Sequence, residues 1–374
     1  MKYCNYCILP DTRPNLVILE DGKCNACHSW NQKKNTINWV ERKKILMLLV
    51  EDVKKRACTW DCVIPVSGGK DSTWQVVRAL ELGLKPLCVT WKTPARNALG
   101  QKNLDNLIRL GVDHIDFTMN PAVEKIFTIE AFRKAGSVAI PMHMALFAIP
   151  LQTAVNYKIP LVLWGENSGM EYGGTDESVL GFQMTHAWLR KYGVTQGTTA
   201  QDWVSEKLNS KDLSAYIWPT DDELNNAGVT AAFLGWYLPW DPVDAYAVAK
   251  NHGFEALSDK PKTGYYQFAD VDDEFIIAIH HWLKWYKFGF TRLWDNLSLE
   301  IRSGRMNRND AVDIIKKAGD EYPEEAIDKF CRWAEFSEEK FLSLANVFRN
   351  KKIWSNQNNR WKIENFLIES WEWK

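Results

Sequence analysis

Between residues 62 and 164 the chain alternates short apolar runs with helical patterns, and this alternation constrains the fold more than any other feature. The runs "CVIPV" (62–66), "PLCVTW" (86–91), "HIDFT" (114–118) and "PLVLW" (160–164) read as strands. The spacing predicts helices from about Ser72 to Leu82, over roughly 100–110, and within 141–157. Gly83 and Gly111 stand where the first two should stop, as glycine suits the left-handed turn after a helix. Apolar strands separated by crossover helices imply a parallel sheet covered on both faces, an α/β fold.

The flanks read differently. An amphipathic helix is predicted over 39–57, with Val40, Ile45, Leu46, Leu49, Val50 and Val53 on one side. After about residue 205 strand-like runs fade, and aromatic-striped helical patterns follow at 272–290, 309–321 and 323–336. Thr220 and Glu223 have the spacing of a capping box. A chain of 374 residues suits two or three domains. The expected division is a cysteine-rich module at 1–30, a sheet domain at 31–205 and a mostly helical domain at 206–374, packed together without a low-complexity linker.

A formal net charge of -1 offers no support for broad binding to nucleic acid or anionic membranes. The most membrane-like stretch, 138–155, is interrupted by Pro141, His143, Pro150 and Gln152, so a buried helix is expected. The segment "MKYCNYCILPD" has no apolar signal region, which predicts a cytoplasmic protein. In that reducing compartment clustered cysteines point to metal or catalysis. The 19 tryptophans suit either a tryptophan-rich core or flat surfaces that stack on sugar.

Cys4-x2-Cys7 and Cys24-x2-Cys27 are two knuckles separated by sixteen residues. Two such pairs complete a tetrahedral thiolate site for Zn²⁺, and four protein ligands leave no open position, so the metal would be structural. Cys62 and Cys88 fall within predicted strands and read as small core residues.

The first strand runs directly into Ser67-Gly68-Gly69-Lys70-Asp71-Ser72 and then a helix. Glycines let successive backbone N–H groups converge on one anion, and the helix dipole, the hydroxyls of Ser67 and Ser72, and the charge of Lys70 reinforce it. The spacing is not that of a Walker A loop.

The SGGKDS hexapeptide resembles the PP-loop of ATP pyrophosphatases. That resemblance implies an adenine nucleotide alpha hydrolase-like (HUP) sheet, cleavage of ATP between the α and β phosphates, and transfer of AMP to a carbonyl or amide oxygen. It implies that Ser67, Gly68, Gly69, Lys70, Asp71 and Ser72 hold the phosphates, and that Thr90 and Trp91, with Asn97 a further candidate, contact adenine. The segment "WGENSGMEYGG" (164–174) matches a second phosphate- and Mg²⁺-facing segment. There Gly165 and Asn167 would bind cofactor, Glu166 would join Lys70 and Asp71 in catalysis, and Glu171 and Tyr172 would face substrate or, for Glu171, Mg²⁺ or solvent. Asp71 suits three roles: capping the helix, orienting the loop or holding Mg²⁺.

Farther along, "YLPWDP" (237–242), "GF" (253–254), "VDDEF" (271–275), "KFGFTR" (287–292), "LEIRSG" (299–304) and "RNDAV" (308–312) resemble the N-acetyl sugar amidotransferase family. These are the PseA- and WbpG-type proteins of pseudaminic acid and lipopolysaccharide sugar biosynthesis. The resemblance implies adenylation of an acetamido carbonyl and displacement of AMP by ammonia, giving an acetamidino sugar. Lys287 and Arg292 would then bind a sugar carboxylate or phosphate, unless they serve a solvated helix face or a structural ion pair. His280 and His281 are candidate bases; being adjacent on a helix, at most one should reach the site. No cysteine–histidine glutaminase signature is evident, so ammonia is expected from outside the chain, and the resemblance implies a separate HisH-like glutaminase, with a HisF-like subunit as a further partner. The aromatic tail beginning at Trp354 could dock such a partner, form a homo-oligomer contact or close the chain's own core. The rival reading, a zinc-ribbon tRNA-thiolating enzyme, is weakened by the lack of a further CxxC pair and by the near-neutral charge.

Overall fold

The computed structural model describes residues 1–174, 181–358 and 360–373. Helix α1 (Asn25–Asn35) starts immediately after Cys24 and carries Cys27. Asn38 caps α2 (Trp39–Arg56) by accepting a hydrogen bond from the Glu41 amide. Only Leu46, Val50 and Val53 of α2 are buried, so its apolar stripe is narrower than predicted, with Val40 and Leu48 exposed.

The sheet region follows: β1 (Cys62–Pro65), α3 (Lys70–Glu81), β2 (Pro86–Trp91), α4 (Ala98–Ile108), β3 (Asp113–Phe117), α5 (Pro121–Ala135), α6 (Ile140–Tyr157) and β4 (Leu161–Trp164). Helix α3 begins two residues before the predicted start, which puts Lys70 and Asp71 in its first turn. Helix α5 was not anticipated, although Asn120 as N-cap and Pro121 at the first helical position are its sequence signal. Short helices α7 (Ser168–Tyr172), α8 (His186–Tyr192) and α9 (Asp221–Asn226) lead to β5 (Thr230–Phe233), α10 (Leu234–Tyr237) and α11 (Pro242–Asn251). The Thr220–Glu223 capping box forms at the start of α9 as predicted.

All five strands are parallel, in the order β3-β2-β1-β4-β5. The fifth strand corrects the expectation that strands end before residue 205: "TAAF" pairs with β4 from Leu161↔Thr230 to Trp164↔Phe233. Four residues, two of them alanine, are too short and too weakly β-forming to stand out in sequence; burial against neighbouring layers makes them a strand.

Side chains alternate between two cores, as the period of a strand requires. Val63, Leu87, Val89 and Val162 face Phe127 of α5 and Met144 and Ala148 of α6. Cys62, Ile64, Cys88, Leu161 and Leu163 face Trp74 and Val76 of α3, Leu46 and Val50 of α2, and Ala245 of α11. Cys62 and Cys88 are thus core residues, as expected. No helix among the described residues is long and apolar enough to cross a membrane.

The C-terminal half is helical: α12 (Ile276–Phe288), α13 (Arg292–Ser303), α14 (Arg308–Ala318), α15 (Glu324–Ala334) and α16 (Glu338–Val347), then the hairpin β6 (Trp354–Gln357) and β7 (Arg360–Ile363). Phe275, Ile279, Trp282, Phe330 and Phe341 share a core with Phe132 and Val138 from the sheet region. The tail closes this chain's own core: Trp354 and Ile363 pack on Trp285, and Trp371 and Trp373 lie against them.

Candidate functional site

The four cysteines of the N-terminal module converge, with all Sγ atoms within 4.8 Å of one another and every one buried. Cys7–Cys24 and Cys4–Cys27 sulfurs are 3.7 and 3.8 Å apart. A tetrahedral site with Zn–S near ~2.3 Å spaces its sulfurs by about 3.8 Å, so the donor set fits Zn²⁺. The amides of Cys7 and Cys24 donate to the Cys4 sulfur, as amides around thiolate metal sites do. Around the cluster pack Phe290, Leu293, Trp294 and Leu297 of α13 and its approach, and Ala311 and Ile315 of α14.

The second site lies at the carboxyl ends of β1 and β4, where the strand order reverses and a parallel sheet opens a ligand crevice. Gly68 turns the chain there at φ +85°, and a Cβ on it would stand 2.5 Å from the backbone nitrogen of Leu104 in α4. Gly69 is the N-cap of α3 and supplies no side-chain cap, leaving the first-turn amides open to a ligand. Lys70 is only 7% exposed, and its Nζ lies 2.5 Å from Asp71 Oδ2. Trp240 Nε1 donates to the other oxygen, Asp71 Oδ1, at 3.1 Å. Asp71 therefore orients Lys70 rather than capping the helix. The Ser72 hydroxyl donates to the Gly69 carbonyl at 3.0 Å, so here it stiffens the loop instead of standing free for an anion.

The crevice encloses about 380 Å³. Ser67, Asp71, Ser72, Thr90, Trp91, Gly165 and Glu166 line it, so most of the predicted phosphate and adenine residues come together from three separate strand ends. Its walls also include His143 and Phe147 of α6, Arg96, and the segment holding Asp270, Asp272 and Asp273. Thr90 Oγ1 is paired with His114 Nε2 at 2.8 Å, and Trp91 Nε1 donates to Glu124 at 3.0 Å, which fixes that indole.

Carboxylates dominate the electrostatics. Burial, and then the charge of Asp71, raises the Glu166 carboxyl to about 7. Burial and the neighbouring Asp273 raise Asp272 to about 7. Burial also raises Asp273, to about 6, but that carboxylate accepts the Thr93 hydroxyl and the Phe275 and Ile277 amides, so it caps the start of α12. Crowded carboxylates with raised values are electrostatically suited to a cation. Sequence reasoning missed His143, Asp270 and Asp272 as site residues. In the sequence "VDDEF" stands out only through the family resemblance, and His143 reads as an interruption in an apolar helix.

Several predicted residues serve other ends. Asn97 caps α4 and donates to the Val271 carbonyl at 2.7 Å, so it is not a free adenine contact. Asn167 caps α7 and accepts from Trp188 Nε1 at 3.1 Å. Glu171 is buried with Lys33 Nζ at 2.6 Å, and Lys33 also donates to the Trp240 carbonyl, so this pair locks α1 to α7 and the Trp240 loop. Tyr172 lies between the guanidinium groups of Arg13 and Arg292, 5.5 and 5.6 Å from its ring centre.

Arg292 belongs to a structural ion cluster. Asp295 accepts from Arg13 at 2.8 Å and Lys284 at 3.0 Å, with Arg292 at 4.0 Å. Burial would raise the Asp295 carboxyl, but Lys284, Arg13 and Arg292 together hold it well below the usual range. Lys287 sits on the last turn of α12 beside Phe288 and does not line the crevice. Trp282 packs in an aromatic cluster with Tyr286 and Phe341, and Trp285, packed on Trp354, lines a separate cavity that shares no residue with the crevice. His280 and His281 are both buried behind the crevice wall, and neither lines it.

Residues 252–367 match the family profile of the C-terminal domain of WbpG-like LPS biosynthesis proteins. This segment is a WbpG-like C-terminal domain. The resemblance read from "VDDEF", "KFGFTR", "LEIRSG" and "RNDAV" is borne out, since all four lie within the match. No curated protein matches the chain. Among solved structures, NMN synthetase from Francisella tularensis is similar at 15% identity and a TM-score of 0.30, covering 60% of this chain and 99% of that one. The WbpG-like segment contributes α12–α16, the terminal hairpin and one wall of the crevice, through Asp270, Asp272, Asp273 and Ile277.

Proposed function

We propose that the protein is an ATP-dependent N-acetyl sugar amidotransferase of surface-polysaccharide biosynthesis. The observation carrying this reading is that the SGGKDS loop and the WbpG-like segment face the same crevice. The loop is built for an anion, and the opposite wall comes from a segment whose family belongs to LPS biosynthesis. In this reading ATP lies with its phosphates on the amides of Gly68, Gly69 and the first turn of α3. Lys70, aimed by Asp71, neutralises charge on the departing pyrophosphate. Mg²⁺ would be held by Glu166 and Asp71, which both line the crevice, and would supply further charge neutralisation there.

The acetamido group is a poor electrophile because its oxygen leaves reluctantly. Transfer of AMP to that oxygen creates a leaving group, and ammonia then displaces AMP to give the acetamidine. The crevice walls would exclude water that would otherwise hydrolyse the adenylate. Ammonia would come from a separate HisH-like glutaminase, and catalysis would occur in the cytoplasm.

The test is mass spectrometry of N-acetylated sugar acids and nucleotide sugars incubated with the protein, ATP, Mg²⁺ and ammonium. Replacement of oxygen by NH lowers the sugar mass by about one unit, as the reaction class requires. Lys70→Ala is expected to abolish both this product and pyrophosphate release while leaving the circular dichroism spectrum unchanged. Pyrophosphate release that depends on tRNA and on none of the sugars would overturn the assignment in favour of thiolation.

A further inference from the structure

His143 stands on the crevice wall in an unusual state for a residue of a buried apolar helix. Its Nδ1 lies 2.7 Å from the carbonyl of Ala139, the N-cap residue of α6 one turn back. A carbonyl only accepts, so the proton of the neutral ring is on Nδ1 and the Nε2 lone pair is free. Nε2 makes no hydrogen bond among the described residues, and the residue lines the same crevice as Ser67, Thr90 and Glu166. Burial first, and then Lys284, lowers its pKa to about 4, so the ring is neutral at physiological pH. Directly behind it is His280, 5.5 Å away ring to ring, more than nine-tenths buried and with Nδ1 unpartnered. His143 is only partly buried, so its unused Nε2 lone pair is open to a ligand in the crevice.

We propose that His143 is the general base of the amination step, receiving a proton from ammonia as it attacks the adenylated acetamido carbon. This rests on the amidotransferase reading above. The nitrogen lone pair forms the new C–N bond, one N–H proton passes to His143 Nε2, and the C–O bond breaks with its electron pair leaving on AMP. The proton on His143 is then released to solvent with the products, so atoms and charge balance without another reactant. A neutral imidazole suits this step because a protonated ring would repel ammonium and offer no acceptor.

The two half-reactions separate this role from binding. Sugar-dependent exchange of pyrophosphate into ATP reports adenylation, and the mass-detected amidine reports amination. The probes are N-acetylneuraminic acid and UDP-N-acetylglucosamine, a sugar acid and a nucleotide sugar, together with any sugar active in the mass experiment. In His143→Asn the amide can still donate to Ala139 while the Nε2 acceptor is gone. Amidine formation is expected to fall by about 10²-fold or more while exchange persists. In His143→Ala, added free imidazole is expected to restore part of the amidine rate. Loss of both half-reactions in parallel, or of neither, overturns the role of His143. Absence of sugar-dependent exchange in the unmodified protein instead overturns the amidotransferase reading, and this role with it.

Discussion

Glu166 shows how a single side chain can trade stability for a site. Its carboxyl is raised to about 7 by burial and by Asp71, from an ordinary value near 4.5. Between those two values the native chain holds a proton that the unfolded chain does not. Lowering the pH through 7 therefore stabilises the fold, and at pH 8 the ionised group is a net cost. Glu166→Gln is expected to raise the melting temperature at pH 8, with the gain shrinking toward pH 5 and pyrophosphate release falling sharply. An unchanged difference in melting temperature between pH 8 and pH 5 would count against the burial account. Lys70 and Asp71 were legible in the sequence because adjacent residues after a glycine turn must share the helix start. Glu171 and Arg292 were not, because only the folded chain could pair Lys33 with Glu171 and gather Arg13 and Lys284 on Asp295 beside Arg292.

At the scale of elements, the strand–loop–helix unit of β1 and α3 carries its own instructions. Gly68 adopts a left-handed conformation and touches the α4 backbone, so two independent constraints exclude a side chain there. Gly68→Ala should destabilise the protein by about 1–3 kcal/mol and remove ATP-dependent pyrophosphate release, read by denaturant titration and a coupled phosphate assay. Retained activity would mean that the loop can move away from α4 at little cost. Strands β1, β2 and β4 were visible as apolar runs because both their faces are buried. Strand β5 was not, since its identity depends on pairing with β4. Helix α5 carries a clear cap, but its polar and apolar residues follow no single stripe: Val123, Phe127 and Ala131 face one core and Phe132 another, with Glu124 and Glu130 also buried.

Across the whole molecule, the cysteine module is fastened to the C-terminal helices. Arg302 of α13, buried beneath it, donates to the Glu171 carbonyl at 2.6 Å, and Arg308 of α14 donates to the Cys7 carbonyl at 2.9 Å. Loss of a structural metal should therefore loosen α13, α14 and, through Glu171, the neighbourhood of Trp240 and Asp71. Elemental analysis is expected to find about one zinc per chain, and a strong chelator to lower the melting temperature and pyrophosphate release together. A metal-free protein with unchanged melting behaviour would refute this coupling.

The sequence by itself determined the parallel sheet, the anion loop, the cysteine quartet and the WbpG-like segment, because each is encoded by residues close together in the chain. Only the tertiary structure decided which charged residues serve the site and which serve the scaffold. It brought Asp270, Asp272 and His143 into the crevice that the loop lines, and assigned Glu171 and Arg292 to structural ion pairs. The physical reason is that a charge acts through the partners within a few ångströms of it, and deciding partners such as Lys33 for Glu171 and Arg13 for the Asp295 cluster lie more than a hundred residues away along the chain.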